Sequence, residues 1–106
     1  MNSQPVEFLE SIEADLRAAR AFYDSWQSDG GLRFHEKFRE AVSWIEWNPE
    51  IFPRKHRDFR RAVIRRTYYG IYFAIELGVT TVVGVLDLRQ SPADIRDLIE
   101  SRSRER

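Results

Sequence analysis

The stretch FRRAVIRRTYYGIYFAIE, residues 59–76, joins a basic half to an aromatic half and sets the expected fold. In residues 69–76, bulky apolar residues at odd positions alternate with Gly, Tyr, Ala and Glu at even positions. This period of two predicts a β-strand. Its odd face should pack against helices, and its even face, which carries Tyr72, should point away from them. The two arginine pairs should then lie on the preceding strand.

The segments on the N-terminal side have a helical period. Val6–Leu9 is typical of a short strand, and apolar residues spaced by three and four predict helices over about 11–28 and 32–48. Ser11 is the expected N-cap of the first helix, and the Gly30–Gly31 pair should end it by adopting left-handed conformations. We expect the odd face of the strand to be buried against this helix pair, with Tyr69, Ile71, Phe73 and Ile75 contacting Leu16, Phe22, Phe38 and Ile45.

The C-terminal segments complete an α+β fold. Val79–Leu88 is apolar on both faces, as in an interior strand, and short links favour a three-strand antiparallel meander. Ser91 and Pro92 predict the start of a short C-terminal helix, and residues 101–106 resemble a polar tail. The whole chain, 1–106, is therefore expected to form one domain with an N-terminal strand, an antiparallel helix hairpin, the meander and the last helix.

The composition excludes several classes of protein. The chain has 106 residues, of which 42% are hydrophobic and 32% are charged, as in an ordinary globular domain. It contains no cysteine, so a disulfide scaffold and a thiolate zinc site are excluded. The sequence predicts no signal peptide and no membrane span, and we expect a cytoplasmic protein.

The net charge is zero, but the charges are unevenly distributed. Residues 54–66 contain seven Lys and Arg residues against a single acid, Asp58. Such a basic segment is typical of a surface that binds an anionic partner. The alternative is that these arginines only protect a sheet edge from aggregation. On the expected strand, Arg60 and Arg66 share one face and Arg61 and Arg65 share the other.

Few residues of the chain suggest catalysis. The two histidines, His35 and His56, are not at metal-ligand spacing from a carboxylate pair, so we expect neither a metal site nor a cofactor. His56 is most simply a loop residue, although it could act as a base beside phosphates. Arginine binds carboxylate and phosphate equally well, so an acidic peptide and a nucleic-acid backbone both stay open as partners.

Three segments resemble the ParE/RelE superfamily of toxins from type II toxin–antitoxin systems. They are VEFLESIEADLRAARAFY at residues 6–23, NPEIFPRKHRDFRRAVIRRTYYGIYFAI at residues 48–75 and VVGVLDLRQSP at residues 82–92. The resemblance implies that the N-terminal strand joins the sheet beside the last strand. It also implies a cognate acidic antitoxin as partner, and it is compatible with a homodimer.

The superfamily has two activities. In RelE-like members, basic strand residues and a later arginine bind ribosome-bound mRNA, which is cleaved without metal. Arg60 or Arg61, Arg65 and Arg89 match those positions, but Gly70 stands where many nucleases have an arginine. No tyrosine or histidine follows Arg89, and the first glutamate after it is Glu100, so a proton-transfer group near the site is missing.

ParE-like members instead inhibit DNA gyrase by binding. Their ending, H-x-R-R-D-P, corresponds here to Asp87–Pro92, in which one arginine and the proline remain. We therefore expect a ParE-like toxin that acts on a target such as DNA gyrase. The alternatives are a RelE-like mRNA endoribonuclease and a degenerate toxin that keeps only antitoxin binding. The expected binding residues are Arg60, Arg61, Arg65, Arg66, Tyr72 and Arg89, with the face shared by Arg60, Arg66 and Tyr72 favoured.

Overall fold

The computed structural model describes residues 5–104, which form a five-stranded sheet and three α-helices. The strand order is β1-β5-β4-β3-β2; β1 runs parallel to β5, and the other neighbours are antiparallel. None of the described helices is long and apolar enough to cross a membrane. The elements are β1 (Val6–Phe8), α1 (Ser11–Asp24), α2 (Gly30–Trp47), a short 3₁₀ helix (Pro49–Ile51), β2 (Arg54–His56), β3 (Phe59–Val63), β4 (Tyr69–Glu76), β5 (Val79–Asp87) and α3 (Pro92–Ser103).

This architecture confirms the expected α+β fold. The meander is β3–β5, and β1 lies beside β5, as the family resemblance implied. The strand β2 was not predicted. It pairs with the start of β3 around the turn that contains Arg57, a residue with a φ of 50°.

The odd face of β4 packs against the helix pair, as expected. Ile71 and Phe73 are fully buried, and Tyr69 is 7% exposed. They share one core with Phe34, Phe38, Ile45 and other residues of α1 and α2, and Leu16 and Phe22 pack against its margin. Ile75 is only half-buried because it lies near the end of the β4–β5 hairpin, beside the exposed turn at Leu77 and Gly78.

The glycine pair between the helices does not have the predicted left-handed conformation. Gly30 and Gly31 are the first residues of α2, and α1 ends at Asp24 rather than near residue 28. A Cβ on Gly30 would lie 2.0 Å from the carbonyl oxygen of Tyr23. These glycines are therefore required for the close approach of the two helices, not for a positive φ.

The two predicted helix caps have different outcomes. Ser11 is the first helical residue rather than the cap, and its Oγ has no hydrogen-bond partner among the described residues. Ser91 caps α3 as predicted, because its Oγ accepts a hydrogen bond of 3.1 Å from the backbone N–H of Asp94.

The even face of β4 points away from the helix pair, as expected, but it is not free to bind a partner because α3 covers it. Tyr72 and Ala74 are each 3% exposed and form a second, smaller core with Ile99. The helix continues through Ser103, so residues 101–103 are not a tail; residues 105 and 106 lie outside the described part of the chain. Arg102 explains this extension, because its guanidinium binds the Asp15 carboxylate with N–O distances of 2.5 and 2.8 Å.

Candidate functional site

The predicted arginine site is divided among several places in the structure. Strand β3 ends at Val63, so Arg65 and Arg66 lie in the turn before β4 and not on a strand face. Arg66 has a φ of 61°, which is rare for a residue with a side chain. The predicted alternation of faces therefore applies to Arg60 and Arg61 alone.

Arg60 lies on the helix-hairpin face, because it pairs with Phe73 across the β3–β4 ladder. Its Nη1 donates hydrogen bonds to the carbonyl oxygens of Glu50, at 3.2 Å, and Phe52, at 2.7 Å. These bonds hold the 3₁₀ helix and the chain after it against the sheet. The prediction that Arg60 shares a face with Tyr72 is wrong, since the residue paired with Tyr72 is Arg61.

Arg61 and Tyr72 lie together in a groove of about 400 Å³ between the sheet and α3, which we call the α3 groove. Tyr72 forms its buried floor, so its ring is not free to stack on a ligand. Arg66 and Arg89 do not reach this groove. Its other polar lining residues are Lys55, His56, Gln90 and Arg96.

A histidine–carboxylate pair lies at the α3 groove. The His56 Nε2 atom is 3.1 Å from Oε1 of Glu100, and the same oxygen is 3.3 Å from Nη2 of Arg57. His56 and Glu100 are separated by 44 residues, so no local sequence pattern could have joined them. Both residues can be read from the sequence, but His56 and Glu100 come into contact only because α3 packs on the sheet.

Arg89, which follows β5, already has partners within the chain. Its Nε and Nη2 atoms bind the Asp87 carboxylate at 3.0 and 2.7 Å. Its guanidinium also lies over the rings of Tyr68, at 4.3 Å from the centroid, and Phe22, at 4.7 Å. The side-chain hydrogen bond from Arg89 lowers the pKa of Asp87 below its ordinary range, and the same bond raises the pKa of Arg89.

A cavity of about 500 Å³ lies between the α1–α2 connection and the β3–β4 turn. Tyr23 forms one wall: its ring stacks on Phe34 with centroids 5.4 Å apart, and its hydroxyl accepts a 2.9 Å hydrogen bond from the backbone N–H of Tyr68. A neighbouring groove of about 260 Å³ lies between α2 and β3 and includes Trp44 and Arg65.

Lys37 lines both of these cavities, so they lie next to each other along α2. We call the two cavities together the α2 channel. Sequence analysis identified Arg65 and Arg66 but not the other side chains of this surface; Trp44, a large apolar residue at the border of the buried stripe of α2, was one available signal. The principal residues of the α2 channel are Trp26, Arg33, Lys37, Trp44, Arg65, Arg66 and Tyr68.

Comparison with known proteins gives one informative similarity. No family model matches the chain, and no curated protein matches it. The structure is similar to a solved chain described as "Chromosomal ParDE TA system from P. aeruginosa", with a TM-score of 0.72 and 13% sequence identity. The similarity covers 81% of this chain and 97% of that chain. The chain has the fold of this ParDE chain.

The shared fold agrees with the resemblance to the ParE/RelE superfamily that three sequence segments suggested. At 13% identity it is the fold that is established. The binding of a partner by the six predicted residues stays a prediction. Arg61 and Tyr72 line the α3 groove, Arg65 and Arg66 line the α2 channel, and Arg60 and Arg89 have partners within the chain.

Proposed function

We propose that this chain is the toxin of a type II toxin–antitoxin module and is neutralised by a cognate acidic antitoxin. The observation that carries the proposal is the fold shared with a chain of a ParDE system over 97% of that chain's length. The sequence resemblance to the same superfamily supports it independently.

The proposed mode of action is ParE-like, in which the toxin inhibits DNA gyrase by binding it. This mode requires exposed contact residues rather than a catalytic group. The described chain has them: Trp26 is 68% exposed, Trp44 50% and Tyr68 46%, and cationic side chains lie beside all three. Aromatic residues and arginine are the side chains that most often dominate the binding energy of protein interfaces.

Two measurements test this proposal. Induction of the chain in a bacterial host should arrest growth. The proposal predicts that a small acidic protein is encoded beside the chain, and its co-expression should restore growth. The purified chain should also inhibit supercoiling of relaxed plasmid by DNA gyrase. Growth arrest without gyrase inhibition would keep the toxin assignment and reject the target, whereas unimpaired growth would contradict both.

The His56–Glu100 pair favours a second candidate, a RelE-like mRNA endoribonuclease. With Nε2 of His56 directed at the Glu100 carboxylate, the Nδ1 atom is available to exchange a proton with a substrate. Arg61 and Lys55 in the same groove would neutralise the phosphate beside it. This arrangement supplies the proton-transfer group that the sequence after Arg89 lacks.

Primer extension on host mRNA distinguishes the two candidates. The gyrase proposal predicts no codon-linked cleavage after induction. Cleavage that is abolished in both His56→Ala and Arg61→Ala variants, and kept in an Arg17→Ala control on the outer surface of α1, would establish the nuclease instead. Cleavage that is kept in the His56→Ala variant would exclude this pair as its catalytic group.

A further inference from the structure

The α2 channel follows one stripe of α2. Arg33, Lys37 and Trp44 occur at spacings of four and seven, so they lie on one stripe of α2. At 1.5 Å per residue this stripe spans about 16 Å. An extended peptide rises about 3.3 Å per residue, so the channel matches roughly five residues of a partner chain.

Two cations in the channel are unengaged. Within residues 5–104, neither the Lys37 ammonium nor the Arg66 guanidinium has a hydrogen-bond or ion-pair partner. The other two arginines of the channel do have ion-pair partners: Arg33 binds Asp29 at 2.9 Å, and Arg65 lies 3.5 Å from Glu40.

Arg66 also has an unfavourable backbone conformation. A left-handed conformation is unfavourable for a residue with a side chain, and glycine would adopt it without that cost. Arg66, with its φ of 61°, lies in the β3–β4 turn and lines the cavity of about 500 Å³. A strained residue with a free charge at a cavity is an observation that points to binding.

Apolar contacts are available between the charges. Trp26 and Tyr68 expose 68% and 46% of their surface at one end of the channel, and Trp44 exposes 50% at the other. Lys37 lies between them. Large rings that alternate with free cations suit a partner segment in which large apolar side chains alternate with carboxylates.

The acids of the channel favour a peptide over a nucleic acid. Asp29 and Glu40 hold Arg33 and Arg65 at the two ends of the surface, and the chain has no net charge. A nucleic-acid backbone carries a charge on every nucleotide and would meet these carboxylates, whereas a peptide can place its acids at the two free cations only. We infer that the α2 channel binds an extended segment, with alternating acidic and large apolar residues, of the antitoxin; this inference rests on the proposed function.

Charge reversal in the channel tests this inference. The probe is the purified acidic protein encoded beside the chain, titrated by calorimetry into the wild type and into two double variants. Lys37→Glu with Arg66→Glu should weaken its binding about tenfold or more, because two charge pairs become repulsive. Arg17→Glu with Arg20→Glu makes the same charge change on the exposed surface of α1, outside the channel, and should leave the dissociation constant within about twofold.

A third variant, Trp44→Ser, tests the apolar half of the inference, and it should also weaken binding. All of these positions are exposed or half-buried, so the thermal midpoints should stay close to that of the wild type, and each is recorded to exclude unfolding.

The outcomes separate the inference from the proposed function. A wild-type chain that does not bind the acidic protein contradicts the proposed function. A wild type that binds, together with channel variants that bind equally well, overturns the inference alone. A channel double variant that loses affinity for a uridine oligonucleotide but not for the acidic protein would also overturn it and assign the channel to nucleic acid.

Discussion

The two faces of the sheet are covered in different ways. The face under α1 and α2 is packed by aromatic rings: Phe34 lies 5.3 Å from Tyr69, and Phe73 lies 5.9 Å from Phe52, measured between centroids. The face under α3 has a smaller apolar core around Ile99 and is held in addition by charged pairs from distant parts of the chain. The first face depends on packing, and the second on packing together with specific polar contacts.

Asp15 is the residue that joins the two layers. Its carboxylate accepts two hydrogen bonds from Arg102 of α3 and one, of 3.0 Å, from the backbone N–H of Val85 in β5. Arg102 also donates to the carbonyl oxygen of Val83 at 3.1 Å. Helix α3 is therefore fixed to α1 and to β5 by hydrogen bonds in addition to the packing of its one fully buried residue, Ile99.

The largest expected effect is at the ring-packed face. Phe73→Ala should destabilise the protein by about 3–5 kcal/mol, because it removes a fully buried ring and leaves a cavity. Ile99→Ala on the α3 face should cost less, roughly 2–3 kcal/mol. Urea denaturation measures both. If Ile99→Ala lowered the free energy of unfolding as much as Phe73→Ala, the stated difference between the two faces would be contradicted.

The next effect is at the polar attachment of α3. The side chains of Arg102 and Asp15 are only 13% and 11% exposed, and Arg102→Ala would leave the Asp15 carboxylate without its cation. We expect a loss of about 2–3 kcal/mol in the free energy of unfolding. The matched control is Arg96→Ala, whose pair with Asp97 is exposed and should contribute under about 1 kcal/mol. Equal effects of the two substitutions would show that α3 is held by packing alone.

The smallest effect concerns the pH dependence at the end of the ring-packed face. Arg89 lowers the pKa of Asp87 from its ordinary value of 3.8, so this pair stabilises the folded protein above that value and the stabilisation is lost as the pH falls through the lowered pKa. In Arg89→Ala, the Asp87 pKa should rise, and less stability should be lost on acidification below pH 3.8.

NMR titration of the Asp87 carboxyl carbon and unfolding curves at several acidic pH values check this prediction. Arg33→Ala, which removes a more exposed arginine pair, is the control and should leave the Asp87 titration unchanged. An Asp87 titration that is the same with and without Arg89 would contradict the assignment.

Periodic patterns in the sequence predicted the ring-packed face, whereas the position of β1 beside β5 was implied by the family resemblance and β2 was not predicted. The alternation in β4 gave the correct register, because a shift by one residue would have placed Tyr72 and Ala74 against the helix pair. The location of the arginines was not predictable to the same degree. The two-residue alternation of faces was extended past Val63, but β3 ends at that residue and the chain turns. Arg66 adopts a left-handed conformation there, which only the tertiary structure reveals.

The contacts of α3 were missed for a different reason. Arg102 and Asp15 are 87 residues apart, and His56 and Glu100 are 44 apart. No local spacing connects such pairs, and a polar helix end is indistinguishable from a tail in the sequence alone. The Gly30–Gly31 pair was predicted to lie between the helices, whereas it begins α2, and its steric purpose depends on how closely Tyr23 approaches.

The most direct test of the binding assignment is an NMR titration of the chain with the acidic protein encoded beside it. Trp26 and Trp44 report on the α2 channel through their indole N–H signals, and the backbone amides of Lys55 and Arg96 report on the α3 groove. We predict that the two indole signals and the Arg66 amide shift on binding while the Lys55 and Arg96 amides stay in place. Shifts confined to Lys55, Arg96 and their neighbours, with both indole signals unchanged, would contradict the account.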